Sequence, residues 1–584
     1  MRITAAVAAL TVVLAAYGAR PTVKPKKAPL SAEQRAAQSI VRSMSLRDRV
    51  AQLVIGVCYG DVPSRRSPEY EKYRHWVRDL RIGGLIVNNR VQNGLVRNAE
   101  PHAFALFLNQ MQKLARTPLI VGADFERGAS MRVTEGPKFP YNMAIGAAGD
   151  LDAARFEGAE TAREARALGV QWIFAPVSDV NNNPANPVIN IRSFGENPEQ
   201  VSRYVTAYIE GAHSDPKNRV LVTAKHFPGH GDTDIDSHLG LARLGASRER
   251  MNAVELKPFE AAIAGGVDAI MTAHMAVPAI EPEEIPSTAS AKVLTGLLRD
   301  ELGFKGLIVT DALDMLGFAS QFKSGDGVVR ALQAGADVLL MPPNPEQAIR
   351  AVLTAVARGE ISKQRIEESA VRVIAAKIRV GVIHKKLVDL DEVSDVLDSP
   401  DVEQRVEEMS DRAVTLVKND RGVVPIAPAN ACLVVAVERR MSQYGQHLAA
   451  EFRTRTPNAR ITFVDPSIPL AAMTDAVGDV SSCSSLSIAV YLTGGAMGGD
   501  LPAFVEKLVE SPAPSVLIGM GSPYVFANFP KATAFLTTFS PTTPSETSAV
   551  KALFGEIPIG GKLPVTIPGL AQYGDGIQLA ASRH

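Results

Sequence analysis

Short apolar runs alternate with amphipathic stretches along the first two thirds of the chain. Eight runs read as buried strands, at residues 53–57, 84–87, 118–122, 172–175, 220–224, 269–272, 307–310 and 336–340. Helical patterns such as 157–168 and 255–264 lie between them. Eight such alternations predict a parallel (β/α)8 barrel of the TIM type rather than an open doubly wound sheet. The stretch 31–49 predicts a helix ahead of the barrel, with Ser31 as its cap. The first strand is the ambiguous one, because residues 51–57 also continue a helical pattern.

The barrel pattern ends near Gly381, and a charged connection follows. A second apolar programme then starts. Residues 432–437, 461–464, 486–492, 516–520 and 534–538 are strand-like, with helical stretches such as 501–509 between them. This predicts an α/β sandwich. The expected organisation is a barrel over 31–384, a linker over 385–410 and a sandwich over 411–584.

Residues 1–18 read as an export signal. Arg2 precedes an apolar run, 3–16, that is too short to span a bilayer. The stretch 14–18 resembles a lipoprotein cleavage box, but Tyr17 stands where the lipidated cysteine must be. The expectation is therefore a secreted or periplasmic product with no stable membrane anchor. Residues 19–30, rich in proline and lysine, read as a tether.

With 584 residues and 46% hydrophobic content, the chain can bury a large core. A net charge of zero argues against nucleic acid as a partner. The three cysteines do not suggest a disulfide framework, and Cys58 sits in an apolar run as core.

Candidate chemistry gathers at the strand ends. The third strand runs into Asp124 and Glu126, the fourth into Asp179, the fifth into Lys225 and His226, the sixth into His274 and the seventh into Asp311. In a parallel barrel these ends share one mouth. Any one of them could instead cap a helix, and for Asp179 that is the preferred reading. After the fifth strand, Pro228, Gly229 and Gly231 break regular structure, and three aspartates and two more histidines follow by His238.

Three readings of this loop compete. A calcium loop counted from Asp232 fails, because its sixth and twelfth positions are Ser237 and Arg243. A zinc site lacks the helical histidine pair. A solvated polar loop is the second reading. The third is an acid/base device: Asp236 accepts a hydrogen bond from one nitrogen of His238 and frees the other for proton transfer.

The stretch K-H-F-P-G-H-G-D-T-D-I-D-S-H, residues 225–238, resembles the signature of the β-N-acetylglucosaminidase branch of glycoside hydrolase family 3. Segments 411–419 and 552–566 resemble those bracketing that family's second domain. The resemblance implies that Asp236 and His238 form the general acid/base and that Asp311, in V-T-D-A-L-D-M, is the nucleophile. Asp314 competes for that role but lies beyond the strand end. Lys225, His226, Arg192 and Arg132 match sugar-binding positions of the family. Asp124 is expected to take sugar hydroxyls, and His274 and Met275 to line the pocket near the nucleophile. In the β-glucosidase branch the acid is a glutamate on a second-domain loop; here that loop, 493–500, has none.

One departure stands out. Where the family has x-Glu-Gly-Gly after the aspartate, this chain has Phe125-Glu126-Arg127-Gly128, which is expected to narrow or charge the pocket. The expected function is a retaining, cofactor-free and metal-free β-N-acetylglucosaminidase acting on a small carbohydrate substrate with terminal β-GlcNAc, such as a peptidoglycan fragment. The rival readings are a phosphorylase, a non-catalytic sugar-binding protein and a metallohydrolase.

Overall fold

The computed structural model describes residues 31–92, 95–323, 325–437 and 443–582. The expected signal (1–18) and tether (19–30) lie outside the described residues. Ser31 caps the first helix, Ala32–Arg42, through a capping box with Gln34. A new cap, Ser45, starts a second helix, Leu46–Ala51, so the expected single helix is two.

Eight parallel strands follow: β1 (Val54–Tyr59), β2 (Gly84–Asn88), β3 (Ile120–Ala123), β4 (Trp172–Ile173), β5 (Leu221–Phe227), β6 (Ala269–Thr272), β7 (Leu307–Val309) and β8 (Leu339–Leu340). Each pairs with its sequence neighbour, and β1 also pairs with β8. A parallel bridge from Val309 to Val338 closes the ring between β7 and β8. The predicted eight runs are the barrel strands, and the ambiguous first run is a strand because the preceding helix stops at Ala51.

The end of the barrel away from the site is tied by buried carboxylates. Asp268, before β6, takes hydrogen bonds from His213, Arg219, Arg379 and the Val222 amide. Asp337, before β8, takes them from Arg299, Arg372, Ser369 and the Ile308 amide. Both are shut off from solvent, so their guanidinium partners are what makes that burial tolerable.

The sandwich holds a six-stranded sheet of β9 (Thr415–Asn419), β10 (Ala431–Val437), β11 (Arg460–Val464), β12 (Ser485–Leu492), β13 (Ser515–Gly521) and β14 (Ala534–Thr537). Its order is β9-β14-β13-β12-β10-β11, and only β9 runs antiparallel to its neighbour. Helices cover both faces over two apolar clusters. One cluster takes in Met143, Ala144, Ala147 and Ile191 from the barrel, so the two domains share a core.

Two cysteines correct the sequence reading. Cys432 opens β10 and Cys483 lies just before β12, its parallel neighbour; the pairing brings them together as a disulfide across 51 residues of sequence. Cys58 is free and buried, as expected.

Candidate active site

β3 runs out into Asp124-Phe125-Glu126. Phe125 turns inward and is fully buried, which leaves the two carboxylates on the open side. Lys225, on β5, reaches both: its Nζ lies 2.8 Å from Asp124 Oδ1 and 2.7 Å from Glu126 Oε1. Arg132 adds a bond of 3.1 Å to Asp124 Oδ2. Arg192 grips Glu126 with two nitrogens, at 2.9 and 2.6 Å. Burial alone would raise both carboxyls, but Lys225 and Arg132 hold Asp124 below its ordinary value, and Arg192 and Lys225 hold Glu126 well below.

β5 extends to Phe227, three residues past the predicted run, so Lys225 and His226 are strand residues. His226 Nδ1 lies 2.8 Å from Asp179 Oδ2, and the His226 and His230 amides also donate to that carboxylate. An ionised carboxylate only accepts, so Nδ1 carries the proton and Nε2 is free toward the cavity. Asp179 therefore caps no helix: it is wholly buried, and its role is to orient His226. Gly231 makes this close packing possible, because a Cβ there would sit 1.8 Å from the Val180 carbonyl.

Asp311 follows β7. Its Oδ1 accepts 2.7 Å from the Ala312 amide. Burial opposes its charge, yet His226, His274 and that amide keep its carboxyl below the ordinary value. His274 stands behind. Its Nε2 donates to the Ala312 carbonyl at 2.9 Å and its Nδ1 takes the Thr288 hydroxyl at 2.8 Å. Burial pushes this imidazole toward the neutral form.

The loop after β5 carries Asp236 and His238. His238 Nδ1 donates to Asp236 Oδ1 at 2.7 Å, and the His238 amide donates to the same oxygen at 2.9 Å. The ring itself is 58% exposed, so its second nitrogen is open for exchange. The loop rests on the segment after Asp311, where the Gly317 amide donates to the Ser237 carbonyl. A Cβ on Gly317 would lie 2.6 Å from that carbonyl.

These groups enclose one cavity of about 430 Å³. Asp124, Arg132, Arg192, Lys225, His226, His238 and Asp311 all line it, and Asp236 stands behind His238. Two expected lining residues do not. His274 positions the Ala312 backbone from behind, and Met275 is fully buried in a short strand, Met275–Ala276, with its carbonyl bonded to Ser287. Arg127 also stays out of the lining, because its guanidinium stacks 4.5 Å over the Tyr141 ring.

Glu126, Tyr141, Asn88 and Met341 line the cavity and were not singled out as site residues. Of these only Glu126 had a signal, its place beside Asp124 at a strand end. The sandwich contributes no lining residue among the described residues, but it braces the loop that holds Asp179 and Arg192. Tyr524 bonds Asn181, Thr566 bonds Glu196, and Ile191 enters the shared core.

Residues 45–376 match the glycosyl hydrolase family 3 N-terminal domain. The chain is 28% identical over 529 residues to a β-N-acetylglucosaminidase/β-glucosidase of Cellulomonas fimi, which covers 85% of this chain and 90% of that one. A solved family 3 β-N-acetylglucosaminidase from Paenibacillus sp. superposes with a TM-score of 0.81 at 32% identity, covering 90% of this chain and 99% of its own. A β-glucoside phosphorylase, at 22% identity and a TM-score of 0.80 over 92% of this chain and 97% of its own, shares the fold.

Proposed function

The chain belongs to glycosyl hydrolase family 3, and on that premise we propose that it is an exported, retaining β-N-acetylglucosaminidase that removes terminal β-GlcNAc, with peptidoglycan fragments as natural substrates. The observation that carries this reading is one cavity lined by both Asp311 and His238, a carboxylate and an imidazole with one nitrogen free. The names of the relatives support the sugar. The Cys432–Cys483 disulfide supports an oxidising compartment.

In the first step Asp311 attacks the anomeric carbon. The C1–O bond breaks as His238 gives its free-side proton to the leaving oxygen, and a glycosyl ester on Asp311 forms. In the second step His238 takes a proton from water as the water oxygen bonds C1 and Asp311 departs as a carboxylate. Asp236 keeps the Nδ1 proton and the orientation of the His238 ring while the other nitrogen gives and takes its proton. On this reading Asp124 accepts sugar hydroxyls, while Arg192 and Lys225 supply donors and His226 Nε2 an acceptor for the 2-acetamido side.

The test compares aryl β-GlcNAc with aryl β-glucoside. The expected result is a kcat/KM higher by at least about a hundredfold for the acetamido sugar, since sites built around a polar group reject analogues that lack it. Equal efficiencies would overturn the sugar assignment.

A further inference from the structure

Of the carboxylates lining the cavity, Asp311 and Asp124 serve the reaction above and Glu126 is paired with Arg192 and Lys225, which leaves Asp314. It lies three residues past Asp311, lines the same cavity as His238, is exposed, and makes no ion pair among the described residues. The cationic lining residues are Lys225, Arg132 and Arg192, and all three are already committed to Asp124 and Glu126 on the sugar-binding side. Near the nucleophile the charged groups are Asp311 and Asp314, with His238 held by Asp236. The place where the second-step nucleophile must enter therefore has surplus negative charge and, among the described residues, no free cation.

We infer that Asp314 is the residue that selects water over anionic nucleophiles, so that a site able in principle to transfer its sugar to phosphate hydrolyses instead. The inference rests on the glycosidase reading of the same cavity. The two second steps differ only in the attacking oxygen. Water bonds C1 and loses its proton to His238. Hydrogen phosphate would bond C1 through an unprotonated oxygen, releasing Asp311 as carboxylate and giving the sugar 1-phosphate, with no base needed. An imidazole does not repel that dianion as a glutamate would; Asp314 restores the repulsion.

The experiment measures free sugar against sugar 1-phosphate from an aryl β-GlcNAc in buffered inorganic phosphate, for wild type, Asp314→Asn, Asp314→Ser and Asp314→Glu. The ratio reads the second step alone, whatever the rate of the first. Wild type and Asp314→Glu are expected to give almost only free sugar. Asp314→Asn and Asp314→Ser should raise the phosphate share at least about tenfold, the scale of one charge acting near a protein surface. Should both neutral variants lack turnover, wild type is assayed with azide against methanol: the expectation is preference for the neutral nucleophile, and preference for azide overturns the inference. An unchanged ratio in either neutral variant overturns it while leaving the glycosidase reading intact. Sugar 1-phosphate as the main wild-type product overturns both, and absence of wild-type turnover removes the reading on which it rests.

Discussion

Asp179 Oδ2 and His226 Nδ1 lie 2.8 Å apart, wholly inside the barrel, 47 residues apart in sequence. The carboxylate also collects the backbone amides of His226 and His230. It fixes the ring with Nε2 toward the cavity, and that ring helps hold the Asp311 carboxyl below its ordinary value. Asp179→Asn is expected to lower kcat/KM by roughly 10- to 100-fold, as for other buried partners of functional histidines. It should also move the acid limb of the kcat/KM profile upward, because Asp311 would lose part of its stabilising charge. Steady-state rates from pH 4 to 8 check both; an unmoved limb would reduce Asp179 to a packing role.

Asp311→Asn keeps the shape and the cavity but cannot form the ester. Turnover should fall by several orders of magnitude, the scale seen when covalent nucleophiles are removed, while sugar binding survives. Isothermal titration with GlcNAc measures the binding. Substantial turnover in this variant would pass the nucleophile role to Asp314.

Burial on both faces makes the eight barrel strands legible, since each must then be a continuous apolar run. The rule fails where polar groups are buried by pairing. Lys225 and His226 end the apolar pattern of β5, yet both are strand residues, because Asp124, Glu126 and Asp179 pair with them from the segments after β3 and β4. No local pattern shows a partner that far away, and for the same reason Asp179 reads as a cap and the cysteines as unpaired. Asp236 and His238 are legible because they lie two residues apart on one loop. β9 is missed for a different reason: Thr415–Asn419 is half polar and pairs antiparallel at the sheet edge.

Glu164 gives a pH dependence of stability. It lies buried behind the segment after β3, accepts 2.7 Å from the Ala129 amide, and burial pushes its carboxyl up to about 8. The folded state thus holds a proton that the unfolded chain releases near an ordinary glutamate value. Its contribution is complete below that ordinary value and is lost as the pH rises through about 8. Glu164→Gln keeps an acceptor for Ala129 and removes the titration. Melting temperatures from pH 5 to 9 should fall more steeply in wild type, with the variant ahead by a few degrees at the alkaline end. Parallel curves would refute the assignment.

Asp337→Ala addresses the far end of the barrel. It would leave Arg299, Arg365 and Arg372 facing each other without their common partner. Breaking such a buried network costs roughly 3–5 kcal/mol. Chemical denaturation should show the loss, with KM of the folded fraction unchanged, because the cavity lies at the opposite strand ends.

The acid/base role of His238 can be separated from any structural role of its loop. The loop is held through backbone atoms, by the Gly317 and Leu316 amides on the Ser237 and His238 carbonyls, so His238→Ala removes the ring and leaves those bonds in place. The first step then lacks its proton donor. A dinitrophenolate leaves readily without a proton, whereas a sugar alkoxide does not. The rate of glycosyl-enzyme formation should therefore fall by roughly 100-fold or more for disaccharides, the range of general acid catalysis, and far less for the activated aryl glycoside. Asp236→Asn should give a milder version of the same pattern, since the ring stays but loses the carboxylate that fixes its tautomer. Azide, small enough to enter the space the ring vacates, should speed the second step of the alanine variant and yield glycosyl azide. Pre-steady-state rates for the two leaving groups decide the matter: an equal loss on both means that His238 does not deliver the proton, and the loop then serves only to shape the cavity.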